Sequence, residues 1–195
     1  MNTIQIEQSK TALVVIDLQN GIVSRAVAPY AAELVVRNAA KLADAFRRHA
    51  MPVFLVRVTP SPDGKDALHP IADNPTPAIP RSPDWADIVR EMGTNATDFI
   101  ITKHQWGAFY GTEIDLQLRR RGVTTIVLCG ISTNIGVEST ARMAYEYGYH
   151  QIFAEDAMAA MSIEEHAMTI TRLFPRIGLV RKTDEILAAL DEKSE

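Results

Sequence analysis

The chain lacks the features that mark several classes of protein. It has one cysteine, Cys129, among 195 residues, so it can form neither an internal disulfide nor a cysteine-rich zinc module. No apolar run is long enough to cross a membrane, and the N-terminus shows no charged and then apolar signal pattern. The net charge is -4, and the only tight basic run, at 119–121, ends a predicted helix. We therefore expect a cytoplasmic protein that binds neither nucleic acid nor a membrane.

What the chain does have is enough apolar sequence for a sizeable core, since 47% of its residues are hydrophobic. Short apolar runs, typical of strands buried on both faces, alternate with amphipathic stretches. The strand candidates are residues 11–16, 52–58, 99–102, 124–129, 150–154 and 177–180. This alternation predicts one α/β domain over residues 1–195, a three-layer αβα sandwich around a six-stranded parallel sheet.

The stretches between these runs predict the outer helices. Apolar residues recur at helical spacing in two of them: Val35, Ala39, Leu42 and Phe46, then Val137, Ala141 and Ala144. Ser162 with Glu165 predicts a capping box at the start of a further helix. Thr183 predicts the N-cap of the last helix.

Residues 60–97 interrupt this alternation. The stretch contains seven prolines, and only 84–92 has a helical pattern; the prolines are Pro60, Pro62, Pro70, Pro75, Pro77, Pro80 and Pro83. Structureless loops longer than about 15 residues are uncommon in compact domains unless they act as lids or binding loops. We interpret the stretch as a lid or, with Trp85, as a contact between subunits; a plain insertion is an equal alternative.

Two charged residues follow predicted strands, where ligands of open parallel sheets bind. Asp17 comes directly after four apolar residues, and a carboxylate there is costly to bury unless it is paired or functional. Lys103 follows the third strand, and Trp106, Phe109 and Tyr110 suggest an aromatic pocket beside its ammonium group. The alternatives are a solvated aspartate capping a turn and a surface lysine beside core aromatics.

The turn at 130–136 is the third candidate. Gly130 permits a sharp turn from strand to helix, and good cap residues follow: Ser132, Thr133 and Asn134. Free backbone N–H groups near Ile135 and Gly136 would then form an anion site that could stabilise an oxyanion. Most helix starts of this kind are only structural.

The motifs at 14–19, 103–112 and 130–142 resemble, in order, those of the isochorismatase-like (cysteine) hydrolases. A further run, 155–157, resembles another family element, and the resemblance extends from about residue 11 to about residue 190. It implies a six-stranded parallel sheet flanked by helices, a small-molecule substrate and a homo-oligomer. It also places Asp17, Lys103 and Gly136 at the positions of the family's catalytic aspartate, lysine and cysteine, and implies a cis peptide at Ile131–Ser132.

Gly136 is the most informative departure from the family pattern. A glycine cannot form the thioester of the cysteine enzymes, and the family's true isochorismatases, which also have glycine here, hydrolyse a vinyl ether without a protein nucleophile. The rest of the turn looks closer to the cysteine enzymes, so the chain resembles a bacterial subgroup that kept their loop without the thiol. The metal-binding Asp-x-His pattern of nicotinamidases is missing and His69 is isolated, so we predict no metal and no cofactor.

Three functions remain open. Protonated Asp17 could protonate a vinyl-ether carbon, ionised Asp17 could activate water on an amide or ester, or the pocket could bind a ligand without turnover. In each case Lys103 would orient an anionic substrate, and the residues expected to line the pocket are Gln19, Trp106, Phe109, Tyr110, Ser132 and Ile135. Three other nucleophiles are disfavoured: Cys129 ends a buried strand, and neither Ser132 nor Ser139 has a well-placed histidine.

Overall fold

All six strands of the central sheet run parallel, as the continuous apolar runs predict. The computed structural model describes residues 4–74 and 81–192. Its strands are β1 (Thr11–Ile16), β2 (Val53–Val58), β3 (Phe99–Lys103), β4 (Thr125–Ile131), β5 (His150–Ala159) and β6 (Leu179–Arg181). Their order is β3-β2-β1-β4-β5-β6, so the winding reverses between β1 and β4. Ligands of such sheets bind where the order reverses, beyond the carboxyl ends of these two strands.

Helices cover the sheet in two layers, which confirms the predicted sandwich. The α-helices are α1 (Asn20–Val23), α2 (Ala32–Arg48), α3 (Ile114–Arg120), α4 (Glu138–Glu146), α5 (Ile163–Met168), α6 (Phe174–Ile177) and α7 (Thr183–Asp191). Short 3-10 helices occupy Gln8–Lys10 and Arg90–Met92, and π-helical turns occupy Thr133–Val137 and Thr169–Leu173. α2 packs with α7, and α4 packs with α6. Within the described residues, no helix is long and apolar enough to cross a membrane.

Burial explains why the strands and the longest helix could be read from the sequence. Every residue of β1 is buried, because the strand lies mid-sheet with helices on both faces. The four apolar residues predicted for one face of α2 are completely buried: Val35, Ala39, Leu42 and Phe46. β5 runs five residues past its predicted end, and its register with β4 shifts between Leu128 and Gly130. The irregular stretch of β5 lies between Phe153 and Met158, which pair with Leu128 and Gly130 of β4.

The helix predicted at 84–92 is wrong, apart from the 3-10 turn Arg90–Met92. Its backbone bonds instead to the chain that follows β1. The Gly21 N–H donates to the Trp85 carbonyl at 2.9 Å, and the Val89 N–H donates to the Leu18 carbonyl at 3.1 Å. This segment of the proline-rich stretch therefore lies against the chain just past Asp17. Pro75, Pro77 and Pro80 lie outside the described residues.

The two predicted helix caps have different outcomes. The capping box of Ser162 and Glu165 is confirmed at the start of α5. Thr183 is not the N-cap of α7, because that position belongs to Lys182. The Thr183 hydroxyl donates instead to Asp156 Oδ1 at 2.8 Å, which ties α7 to β5.

Candidate functional site

Asp17 and Lys103 form a buried ion pair at the carboxyl edge of the sheet. Lys103 ends β3, and its side chain reaches past the end of β2 to donate to Asp17 Oδ2 at 2.8 Å. The same ammonium group donates to the carbonyls of Trp106 at 2.6 Å and Gln105 at 3.2 Å. Both charged side chains are buried, so neither the solvated aspartate nor the surface lysine describes this site. Three acceptors surround the ammonium group, which fixes the position of its charge.

The Asp17 carboxylate is only half satisfied. Asp17 Oδ1 is buried and has no hydrogen-bond partner among the residues that the structure describes. Burial raises the pKa of Asp17 to about 6, although the charge and hydrogen bond of Lys103 act to lower it. The residue also has a φ of 54°, the left-handed region that is uncommon for residues other than glycine. An unpaired buried oxygen and a pKa near neutrality are typical of a carboxyl group that transfers protons.

Gly136 lies directly against this ion pair. A Cβ atom at this position would be 3.0 Å from Asp17 Oδ2 and 3.5 Å from Lys103 Nζ. The Gly136 carbonyl accepts a hydrogen bond from the buried Thr140 hydroxyl at 2.7 Å. The same hydroxyl accepts from the Ala108 N–H at 3.1 Å, so Thr140 joins this turn to the loop after Lys103. The structure therefore brings the three predicted catalytic positions together.

The turn leading to Gly136 is held by close backbone contacts. Gly130 has a φ of 124°, and a Cβ there would lie 2.0 Å from the Ile16 carbonyl oxygen, so only glycine fits. The peptide bond Ile131–Ser132 is cis, as the resemblance predicts. The prediction of a free N–H at Ile135 is wrong. This N–H donates to the Ser132 carbonyl at 3.2 Å.

The polar side chains of this turn do not cap a helix, contrary to prediction. The Ser132 hydroxyl donates to the Asn134 side chain at 2.8 Å, and no side chain caps the π-helical turn Thr133–Val137. The Thr133 hydroxyl contacts His166 Nδ1 instead, at 2.9 Å. Since Ser132 is bonded to Asn134, this geometry gives no support to a serine nucleophile.

Gln19 links three segments around the site. Its buried amide donates to the Val58 carbonyl at 3.0 Å and accepts from the Val58 N–H at 2.8 Å. It also donates to the Trp85 carbonyl at 3.3 Å. Gln19 thereby joins the end of β1 to the end of β2 and to the proline-rich stretch. A contact between this amide and a substrate stays a prediction.

The three predicted aromatic residues have different surroundings. Trp106 and Tyr110 are 66% and 73% exposed, in the loop whose carbonyls hold the Lys103 ammonium group. Phe109 is buried, with its ring centroid 5.3 Å from that of Tyr147 and 5.8 Å from that of Tyr149. This packing accounts for Phe109, so we leave it out of the proposed site.

Sequence reasoning missed two contributors to this site, Thr140 and His166. His166 is buried in α5 and reaches the turn through Thr133. The run at 155–157 was the one relevant signal, because Glu155 Oε1 lies 3.5 Å from His166 Nε2.

Burial raises the pKa of the Cys129 thiol, as expected for a structural cysteine. Within residues 4–74 and 81–192, no three His, Cys, Asp or Glu side chains are grouped as metal ligands would be.

Comparison with known proteins identifies relatives along nearly the whole chain. Residues 11–185 match the family model described as Isochorismatase domain. The chain is 53% identical to the isochorismatase family protein YwoC of Bacillus subtilis (strain 168) over 191 residues, 96% of this chain and 97% of the relative. It is 52% identical to YecD of Escherichia coli O157:H7 over 187 residues, 96% of this chain and all of the relative. An isochorismatase family protein of Burkholderia thailandensis has a similar solved structure, with a TM-score of 0.94 and 43% identity over 98% of this chain and all of that one.

Proposed function

The chain belongs to the isochorismatase family, and we propose that it hydrolyses a small anionic metabolite by cleaving a vinyl ether, without a covalent enzyme intermediate. The observation that carries this proposal is the position of Gly136. A residue without a side chain lies where a Cβ would be 3.0 Å from Asp17 Oδ2, at the position to which the sequence resemblance assigns the family's cysteine. The site thus keeps the family's aspartate and lysine and offers no thiol to a substrate.

Asp17 is the proposed general acid. The pKa of Asp17 is about 6, so about a tenth of the molecules carry its proton at pH 7. A carboxyl group whose pKa lies this near the working pH can act as a general acid. Lys103 occupies Oδ2, so Oδ1 is the oxygen that would carry the proton. A carboxylic acid in such a site supplies about 10²–10⁴-fold of rate acceleration.

The proposed reaction is a balanced hydrolysis. The Asp17 proton passes to the terminal CH₂ carbon of an enolpyruvyl ether, where the π electrons form the new C–H bond. The adjacent carbon becomes a cation that the ether oxygen stabilises, and water adds there while returning a proton to Asp17. The hemiketal hydroxyl then loses its proton as its oxygen forms the C=O bond of pyruvate and the bond to the ether oxygen breaks. The ether oxygen takes up a proton, so that pyruvate and an alcohol leave.

The other site residues have supporting roles in this proposal. The ammonium group of Lys103 counters the negative charge of the substrate and holds the Asp17 carboxylate in place. Gly136 has no side chain, which lets the turn lie directly against the Asp17 carboxylate. Trp106 and Tyr110 are exposed beside the site and would pack against the ring of a substrate.

Hydrolysis of an amide or ester by ionised Asp17 is the second candidate. The same pKa supports it, because about nine tenths of the molecules are ionised at pH 7. Asp17 would then take a proton from water as it attacks a carbonyl. The two candidates need opposite protonation states of one carboxyl group, so their pH profiles have opposite slopes.

The test is release of pyruvate from isochorismate, comparing the wild type with Asp17→Asn. We expect the wild type to release pyruvate and Asp17→Asn to lose about 10²–10⁴-fold of that rate. Asp191→Asn, on the exposed surface of α7, is the matched control and should behave like the wild type. Absence of pyruvate from the wild type would reject isochorismate as substrate. A panel of amides and esters would then test the second candidate, and binding without turnover would favour a ligand-binding protein.

A further inference from the structure

We propose that His166 is a positioning residue that holds the turn carrying Gly136 against the Asp17–Lys103 pair. It acts through Thr133, the first residue of the π-helical turn Thr133–Val137. The inference rests on the proposed function in one respect: the turn matters for catalysis only if the reaction takes place beside Gly136.

The contact between the two side chains is wholly buried. Thr133 is inaccessible to solvent, His166 is nearly so, and Thr133 Oγ1 lies 2.9 Å from His166 Nδ1. Water cannot replace either partner without a rearrangement of α5 against the turn. A buried hydroxyl without a hydrogen-bond partner is unfavourable, so this contact favours one position of the turn.

Glu155 lies beside the other nitrogen of the His166 ring. Glu155 Oε1 is 3.5 Å from His166 Nε2, which has no hydrogen-bond partner among the residues described. An ionised carboxylate cannot donate a hydrogen bond, so in the neutral ring it favours the tautomer with the proton on Nε2. In that tautomer Nδ1 accepts a hydrogen bond from the Thr133 hydroxyl.

Glu155 itself is held by two donors from other elements. The Tyr30 hydroxyl donates to Oε1 at 2.8 Å, and the Lys182 ammonium group donates to Oε2. Burial acts to raise the pKa of Glu155, but the nearby His166, Lys182 and Tyr30 side chains outweigh burial and lower it to about 2. The carboxylate is therefore ionised at neutral pH. Glu155 of β5 lies beside the His166 ring and is itself held in place by Tyr30 and Lys182.

The turn is thus fixed at both ends. His166 contacts the side chain of Thr133, the first residue of the turn, and the Thr140 hydroxyl donates to the Gly136 carbonyl at 2.7 Å. Gly136 lies against Asp17, so a shift of the turn changes the distance between the Gly136 backbone and the Asp17 carboxylate. A misplacement of about 1 Å can cost about 100-fold in rate, which sets the size of the effect expected here.

The experiment compares two pairs of variants that differ in one contact. Thr133→Val removes the hydroxyl and keeps the shape, whereas Thr133→Ser keeps the hydroxyl. His166→Leu removes both nitrogens, whereas His166→Asn keeps a polar group at the place of Nδ1. The readouts are kcat and KM for pyruvate release from isochorismate, and the position of the Gly136 amide cross-peak in a ¹H–¹⁵N correlation spectrum. Thermal unfolding shows that each variant is folded.

We expect Thr133→Val and His166→Leu to lower kcat by about 10- to 100-fold with KM nearly unchanged, and to move the Gly136 cross-peak. The conservative partner of each should restore most of the rate. The double variant Thr133→Val/His166→Leu should lose no more than either single variant, because both remove one contact. Additive losses, or an unchanged kcat beside a shifted cross-peak, would overturn the positioning role.

The amide readout separates this inference from the proposed function. If the wild type releases no pyruvate, the vinyl-ether proposal fails, and the Gly136 cross-peak alone tests the coupling between His166 and the turn. If that cross-peak stays in place in both Thr133→Val and His166→Leu, His166 does not hold the turn, whatever the substrate.

Discussion

Two ion pairs in this protein, one partly buried and one buried, differ in how completely the carboxylate is hydrogen-bonded. In one, Arg47 Nε and Nη2 donate to Asp98 Oδ1 and Oδ2 at 3.1 and 2.7 Å. In the other, Lys103 reaches only Oδ2 of Asp17. Arg47 joins α2 to the chain before β3, whereas Lys103 and Asp17 lie at the carboxyl edge of the sheet.

The remaining contacts widen this difference. Asp98 Oδ2 also accepts from the Asn95 N–H at 2.7 Å, so both oxygens of Asp98 are bonded. Asp17 Oδ1 is buried without a hydrogen-bond partner in the described part of the chain. Burial of a carboxylate stabilises a fold when donors surround it, and it favours proton transfer when one oxygen is left unpaired. The comparison therefore distinguishes a fully hydrogen-bonded ion pair from the one that we propose is reactive.

The sharpest way to break this comparison is to remove the cation from each pair. Lys103→Met should lower kcat/KM for pyruvate release by about 10²–10³-fold, because the charge that holds Asp17 and the substrate is lost. Arg47→Met should leave kcat/KM nearly unchanged. It should lower the free energy of unfolding by about 3–5 kcal/mol, because the buried Asp98 carboxylate then has no cation beside it. Initial rates and denaturant unfolding measure the two effects.

Methionine is the matched replacement in both cases, since it keeps an unbranched apolar chain and removes the charge. Lys103→Met should cost less stability than Arg47→Met, because Asp17 can neutralise itself by taking up a proton. Equal losses of stability with activity retained in both variants would show that the two pairs do not differ in function.

The same contrast explains what the sequence could predict. Asp17 could be found because it directly follows a buried apolar run, and Lys103 because it lies at the end of a predicted strand; parallel strands bring their carboxyl ends to one edge. The fold followed from the continuous apolar runs, which need cover on both faces. Local sequence patterns were sufficient to predict a strand or helix wherever its own apolar residues show which of its faces is buried.

Contacts between distant segments could not be predicted in this way. The 84–92 segment has a helical pattern, yet its backbone pairs with the chain after β1, and a Cβ at Gly21 would collide with the Trp85 ring. His166 lies 33 residues from Thr133, so nothing nearby in the sequence marks it as part of the turn. Only the packing of α5 over the turn brings the two residues together.

The pH profile is the second way to sharpen the comparison. If Asp17 is the acid, kcat/KM is constant below about pH 6 and falls tenfold per pH unit above it, because the proton is lost at the pKa of Asp17. A base would give the opposite slope, with kcat/KM rising up to about pH 6. Initial rates of pyruvate release between pH 5 and 8 measure the slope, and Arg47→Met should show the same profile as the wild type.

Stability should respond to the same proton. The pKa of Asp17 is about 6 in the folded protein and 3.8 as its ordinary value, so the folded state binds this proton more tightly than the unfolded chain does. The stability gained from that proton is complete below about pH 4 and is lost as the pH rises to about 6. Relative to the wild type, Asp17→Asn should therefore gain on the order of 1 kcal/mol in unfolding free energy between pH 5 and 7.5. Denaturant unfolding at the two pH values measures this gain, and a constant difference would contradict the raised pKa.

The smallest expected effect comes from a single methyl group at Gly136. In Gly136→Ala, the Cβ would lie 3.0 Å from both Asp17 Oδ2 and Ile16 Cγ2, so the carboxylate must move by a few tenths of an ångström. Gly107→Ala is the control, because its nearest contact, Met143 Sδ at 3.4 Å, is of ordinary length. We expect Gly136→Ala to lower kcat/KM by up to about tenfold, because the acid is displaced from its substrate, and Gly107→Ala to leave the rate unchanged. Alanine favours the helical turn by about 0.5–1 kcal/mol over glycine, which offsets part of the crowding, so the loss should be larger in rate than in stability. Equal rates in the two variants would mean that the side of Gly136 facing Asp17 is not where the substrate reacts.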